Sequence, residues 1–370
     1  MHICYLADIR SIHTRRWIEY FATHHQVTLI TLDYLETPEL RAHRSFYDSI
    51  GVSVITVSYA FPSIALAPVR IRSILKRLDP DVVHAHYATH YGFCAAFSGR
   101  PYVLTLWGSD IFQDPKKNPL FRYMVTKALR DADVITCDGM NYLPAIHDLG
   151  GEGKDIHVIH HGVNTTLFHP GKRNKTLFAG LFSNQNDPLV IDIRGFRSVY
   201  NAETLIRAVP SVLKEIPDAK FILGGEGEEK AWNQDLAASL GVANAVFFVG
   251  WIPHDELPAF LSSADVYVST SLSDGGAVVS TLEALAAGLP VVATDSGDHA
   301  LWVQNGVNGF IIPKKDSQTL ARKIVYLLRN EDSRIRFGAA SRRIAEEKAG
   351  YDTQMKEMGM IYNCLKGRQA

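Results

Sequence analysis

The sequence predicts an α/β protein made of two Rossmann-like, doubly wound parallel-sheet domains facing a central cleft. Short apolar runs alternate with stretches of helical spacing, which is the pattern of βαβ units. That pattern is interrupted by polar segments and then restarts. A chain of 370 residues suits two such domains.

The elements follow in order. Met1–Ala7 reads as a buried strand, and a helix runs from about Thr14 to Thr23. Val27–Leu32 and Val52–Ser58 are strands, Ala65–Leu78 is a helix, and Val82–Ala85 is a strand. Tyr102–Leu106 and Val134–Cys137 are strands on either side of a helix near Leu120–Asp131, and Ile156–Ile159 closes the first series. Polar breaks at Gly171–Lys175 and Asn184–Pro188 mark the restart. Strands at Leu189–Ile193, Phe221–Gly224, Ala245–Val249, Val266–Ser269, Val291–Thr294 and Phe310–Ile312 then alternate with helices. Those helices are Ala202–Lys214, Glu229–Leu240, Leu257–Ser263 and Ala277–Ala287. The expected domains are 1–168 and 169–348. A last helix, Tyr351–Leu365, is expected to cross back to the first domain within 349–370. Open sheets of this kind bind ligands beyond the carboxyl ends of their strands, so two of them facing each other would form one deep cleft.

Composition narrows the function. Charged residues make up 21% of the chain and the net charge is -1, so no nucleic-acid partner is expected. Cys4, Cys94, Cys137 and Cys364 form no CxxC pair, which argues against a disulfide framework or a zinc site and fits a reducing cytosol. MHICYLADIR lacks the basic start and apolar run of a signal peptide, and no run of about 18 apolar residues occurs. The expected location is cytoplasmic.

Two glycine clusters bear on binding. Gly224-Gly225-Glu226-Gly227 follows a strand but is not GxGxxG, and no GxxxxGK[ST] occurs, so nicotinamide and P-loop chemistry are disfavoured. The stretch SDGGAVVSTLE, residues 273–283, puts Gly275 and Gly276 between a strand and a helix. Free helix N–H groups and the helix dipole attract an anion there. Glu283, two turns on, can accept both hydroxyls of a ribose. Together they outline a nucleoside diphosphate. The plainer alternative is a glycine turn followed by a solvated glutamate.

These residues sit in SDGGAVVSTLEALAAGLPVVATDSGDHALWVQNGVNGFIIP, which resembles the C-terminal motif of the retaining family 4 glycosyltransferases with the GT-B fold. HHGVNTTLFHP, LIRAVPSVLKEIPDAKFILGGEG and VFFVGWIPHDELPAFLSSADVYVSTS agree with the family in order, as do DVVHAHYATHYG and VLTLWGSDI near the front. The resemblance implies a UDP- or GDP-sugar donor, no required metal, and a sugar or lipid-linked acceptor. It implies that Glu283 binds the ribose and that Asp274, Gly275, Gly276, Ala277 and Val278 meet the sugar and phosphates. Arg194 and Arg197 fall at the diphosphate, Gly225 and Gly250-Trp251-Ile252 lie at the nucleotide, and His13, His86, Trp107 and Asp110 line the cleft. Of His84 and His86, one is assigned to the core and His86 to the cleft.

The sequence departs from the family in four places. The leading acid, Asp274, stands nine residues before Glu283 rather than eight, and Gly275 takes the usual position. Tyr200 falls where a lysine is frequent, Trp107 where many members have histidine, and Arg10-Ser11-Ile12-His13 replaces a glycine-rich loop. A basic, apolar helix at residues 65–77 is read either as a core helix with a basic outer face or as a peripheral contact with the inner membrane face. Two rival classes stay open: a nucleotide-sugar epimerase of the same shape, and a non-catalytic sugar-nucleotide-binding protein.

Overall fold

A computed structural model describes residues 1–33, 37–58, 66–178, 180–182, 184, 186–274, 276 and 278–368. It divides into two compact units, one of residues 1–160 with 355–370 and one of residues 161–354.

The first unit holds seven parallel strands: β1 (His2–Leu6), β2 (Gln26–Asp33), β3 (Ser53–Ser58), β4 (Val82–His86), β5 (Tyr102–Thr105), β6 (Val134–Cys137) and β7 (Asp155–Val158). Their order is β3-β2-β1-β4-β5-β6-β7. The chain therefore reverses its direction of travel between β1 and β4, and a crevice opens at the carboxyl ends of those strands. β4 is buried at every position, as expected for a strand covered on both faces. Ser11 caps the helix Ile12–Ala22 by accepting from the Thr14 amide, and Trp17, Ile18 and Phe21 turn that helix onto the sheet. Tyr362, in the C-terminal segment, is buried in this unit, where its hydroxyl meets the Tyr5 hydroxyl at 2.8 Å and His84 Nδ1 at 2.6 Å.

The second unit holds six parallel strands: β8 (Leu189–Asp192), β9 (Lys220–Gly224), β10 (Val246–Gly250), β11 (Val266–Ser269), β12 (Val291–Thr294) and β13 (Gly309–Ile312). The order β10-β9-β8-β11-β12-β13 repeats the first pattern, with its reversal between β8 and β11. One apolar cluster packs on each face of this sheet. The helix Val279–Ala286 is buried from Thr281 to Ala286 and carries only one charge, Glu283.

Residues 161–168, expected in the first domain, pack in the second unit. Arg342 donates to the Thr165 and Phe168 carbonyls, and Val163 bridges to Gly350. The longest helices not read from the sequence are Pro38–Ser49, Ser317–Arg329 and Glu331–Ile344, and several of three or four residues were also missed. The first buries only Leu40 and Tyr47, so its apolar stripe is faint.

Candidate functional site

The site is built at the reversal point of the second sheet. The loop after β8 carries Arg194, Arg197 and Tyr200, and the loop after β11 carries Asp274 and leads into the helix Val279–Ala286. The two loops clasp each other. The Leu272 amide donates to the Val199 carbonyl at 2.8 Å, and the Thr270 hydroxyl donates to the Asn201 carbonyl at 2.9 Å.

A cavity of about 460 Å³ opens there, lined by Arg194, Arg197, Tyr200, Trp251, His254 and Glu283, with backbone from Gly195 and Gly225. Glu283 thus faces a cavity instead of an apolar interior, although its residue is only 7% exposed. His254 Nε2 lies 3.6 Å from its carboxylate, and the histidine ring stands edge-on to buried Phe168. Arg194 packs on the Tyr200 ring, 4.4 Å from its centroid, and its Nη1 donates to Ser280 Oγ at 3.3 Å. Its Nη2 donates to Asp274 in an ion pair. Arg194 Nε is buried and, among the described residues, has no hydrogen-bond partner. Arg197 is exposed at the rim, and its side chain makes no ion pair among the described residues.

Gly225 shows why the glycine cluster is needed. Its φ is 110°, and a Cβ there would lie 2.5 Å from the Gly195 Cα. The loops after β8 and β9 touch backbone to backbone, which brings main chain to the cavity wall. Gly225→Ala is expected to lose about 2–4 kcal/mol through overpacking and a disfavoured φ. A thermal melt checks this, and an unchanged midpoint would refute the close approach. Gly250 closes the same wall, accepting from the Gly225 amide through its carbonyl at 2.6 Å. Trp251 is 76% exposed at the mouth, while Ile252 is buried against Gly224. Gly276 and Val278 lie in the loop after β11. Val278 is buried and precedes the helix, whereas Gly275 and Ala277 lie outside the described residues.

Asp192, at the end of β8, was not singled out by its sequence. It is buried, Oδ1 accepts from the Arg194 amide at 2.8 Å, and Oδ2 has no hydrogen-bond partner among the described residues. Burial pushes its carboxyl up to about 7; the Arg194 amide and charge pull it down, and Asp274 pushes it up. The folded protein therefore holds this proton more tightly than the unfolded chain. Stability contributed by the protonated form is lost as pH climbs from about 4 through about 7. Asp192→Asn, which cannot ionise, is expected to melt above the parent at pH 8, by on the order of 2–4 kcal/mol, and level with it near pH 4. Equal midpoints across that range would overturn the assignment.

The first-unit candidates divide. His13 stacks on Trp107 with ring centroids 4.8 Å apart, and both rings are half-buried at the carboxyl end of the β1–β4 crevice. His86 does not line an open groove. His84 and His86 are two apart on one strand, so their side chains share a face. Their rings lie 4.5 Å apart and both are buried, with His86 packed against Trp17 and Trp107. Burial pushes the His86 imidazole down to about 3, and His13 adds to the effect. Asp110 is also fully buried, and its two oxygens accept from the Ala88 and Trp107 amides at 2.9 and 3.0 Å. It pins the Trp107 loop and presents no free oxygen for a substrate.

Two crevices open at sheet reversals, and the second gathers two arginines and a carboxylate around one cavity. Residues 173–344 match the model of glycosyl transferases group 1, and residues 2–139 that of glycosyl transferase 4-like proteins. The chain is 25% identical over 332 residues to N-acetyl-alpha-D-glucosaminyl L-malate synthase of Bacillus anthracis, covering 85% of this chain and 84% of that one. It is 26% identical over 241 residues to a GDP-mannose-dependent alpha-(1-6)-phosphatidylinositol monomannoside mannosyltransferase of Mycobacterium tuberculosis, covering 64% and 63%. The crystal structure of Anabaena Alr3699/HepE in complex with UDP matches at a TM-score of 0.80 and 19% identity, covering 98% of this chain and 100% of that one. The fold is GT-B, and the class is glycosyltransferase. Within that class, the chain belongs to the group 1 glycosyltransferases.

Proposed function

We propose that this enzyme moves a sugar from a UDP- or GDP-sugar to a hydroxyl of a sugar or lipid-linked acceptor, with retention at the anomeric carbon, in the synthesis of a glycan, polysaccharide or glycolipid. The observation that carries the reading is the sharing of one cavity by Arg194, Arg197 and Glu283 with the main chain of Gly195 and Gly225. The named relatives support both bases: one is GDP-mannose-dependent, and the structural neighbour holds UDP.

In this reading Glu283 accepts the two ribose hydroxyls, and the guanidinium groups face the diphosphate. The bond from the anomeric carbon to the phosphate oxygen breaks, leaving an oxocarbenium-like sugar and a nucleoside diphosphate. The acceptor oxygen then bonds to that carbon on the same face, and its proton passes to the departing phosphate oxygen. The arginines stabilise the growing negative charge, and the reading invokes no metal. The His13–Trp107 stack is offered as a platform for a sugar face.

A thermal-shift panel of UDP-, GDP- and ADP-sugars tests the donor. One nucleotide series is expected to raise the midpoint, because ligand at 100 times Kd adds about 2.7 kcal/mol. No shift with any of them defeats the reading. NMR of the product's anomeric proton tests retention. Release of an epimer without acceptor would favour the epimerase, and donor binding without transfer or hydrolysis would favour the binding protein.

A membrane contact rests on the helix Ala67–Leu78. Ala67, Ile71 and Leu75 face the core, while exposed Val69 stands beside Arg70, Arg72, Lys76 and Arg77. Ala65 lies outside the described residues, and among those described no helix is long and apolar enough to cross a membrane. Sedimentation with anionic liposomes at low salt is expected, and its absence removes the contact.

A further inference from the structure

We infer that Asp274, the leading acid of the Asp274/Glu283 pair, is a positioning residue for Arg194 and does not read the donor sugar. The inference rests on the donor reading above and assigns one of its residues a different part. Asp274 does not line the cavity that Arg194, Ser280 and Glu283 share. Its side chain is 8% exposed, and both oxygens are engaged. Oδ1 takes the Arg194 Nη2 donor, and Oδ2 accepts from Ser296 Oγ at 3.1 Å.

The loop after β12 closes over this acid from behind. A Cβ on Gly297 would lie 2.9 Å from the Asp274 Cβ, and the Asp298 amide donates to the Gly276 carbonyl at 3.1 Å. Ser296 Oγ also lies 3.3 Å from His299 Nδ1, and His299 Nε2 lies 3.0 Å from Thr281 Oγ1. The acid is thus anchored to the body of the unit and aimed at the guanidinium.

Arg194 is the group held between fixed partners. Tyr200 covers one face, Ser280 takes Nη1, and Asp274 takes Nη2, while the Tyr267 hydroxyl donates to Ser280 at 2.9 Å. A guanidinium so constrained meets a pyrophosphate without first losing side-chain freedom. The nine-residue spacing and the short aspartate side chain become intelligible: the acid stops at the arginine. A sugar held in this site is read by other groups.

Calorimetry with UDP and GDP alone, and with UDP-glucose and GDP-mannose, tests this on wild type, Asp274→Asn, Arg194→Gln and the double variant. Asp274→Asn keeps a hydrogen-bonding oxygen and removes the charge that holds the Arg194 guanidinium in place. It is expected to weaken the free nucleoside diphosphate about three- to ten-fold and the matching sugar nucleotide by the same factor. In the Arg194→Gln background the substitution is expected to change neither. An unchanged nucleoside diphosphate affinity with an altered sugar-nucleotide affinity would mean that the acid reads the sugar, and the inference fails alone. A shift that persists without Arg194 also overturns it. Should Asp274→Asn not fold, Ser296→Ala, which frees one oxygen of Asp274, carries the same comparison of the two ligands. A wild-type protein that binds none of the four ligands defeats the donor reading itself, and this inference with it.

Discussion

Replacing Arg194 with alanine is expected to lower turnover about 10²–10³-fold, the usual loss when one donor to a developing oxyanion is removed. The same loss is expected for Arg197→Ala, but the two variants differ in stability. The Arg194 side chain is half-buried between Tyr200 and Asp274. Its removal strands the buried Asp274 carboxylate, at a cost of about 3–5 kcal/mol. Arg197 is exposed, so Arg197→Ala should melt with the parent. Steady-state kinetics beside thermal melts separate the two effects. Near-native turnover in both variants would remove the arginines from leaving-group stabilisation.

The second large effect concerns Glu283. Glu283→Ala removes the acceptor proposed for two ribose hydroxyls, each hydrogen bond to the charged group being worth about 1.5–3 kcal/mol. The ribose does not react, so its binding is the same before and at the transition state. Donor KM should therefore rise about 10²–10⁴-fold with kcat nearly constant. Stability should not fall, because among the described residues its ion-pair partner is His254, at 3.6 Å and well exposed. A kcat loss with KM unchanged would move Glu283 from the nucleotide to the chemistry.

Much of this site was legible because it is local. A glutamate about one turn into an apolar helix has its direction set by helical spacing, and the cavity-facing position of Glu283 follows. The Gly224-Gly225 turn likewise marks a backbone approach within a few residues. The reading of His86 failed on a local rule, since two residues two apart on a strand cannot face opposite sides. Asp110 failed for a different reason. An acid after a strand reads equally as a ligand or as a loop clamp, and only the positions of the Ala88 and Trp107 amides decide between them.

The sequence alone determined the alternation of buried strands and helices, the restart after the first series, and the motif that contains Glu283. Each is written in neighbouring residues, through side-chain period and the conformational freedom of glycine. The tertiary structure decided which charges meet. Asp274 pairs with Arg194 across 80 positions of chain, and His254 stands beside Glu283. Tyr200, in the place of a lysine, becomes the surface on which Arg194 lies. Partners so far apart are brought together by the order of the strands, and no spacing along the chain encodes them.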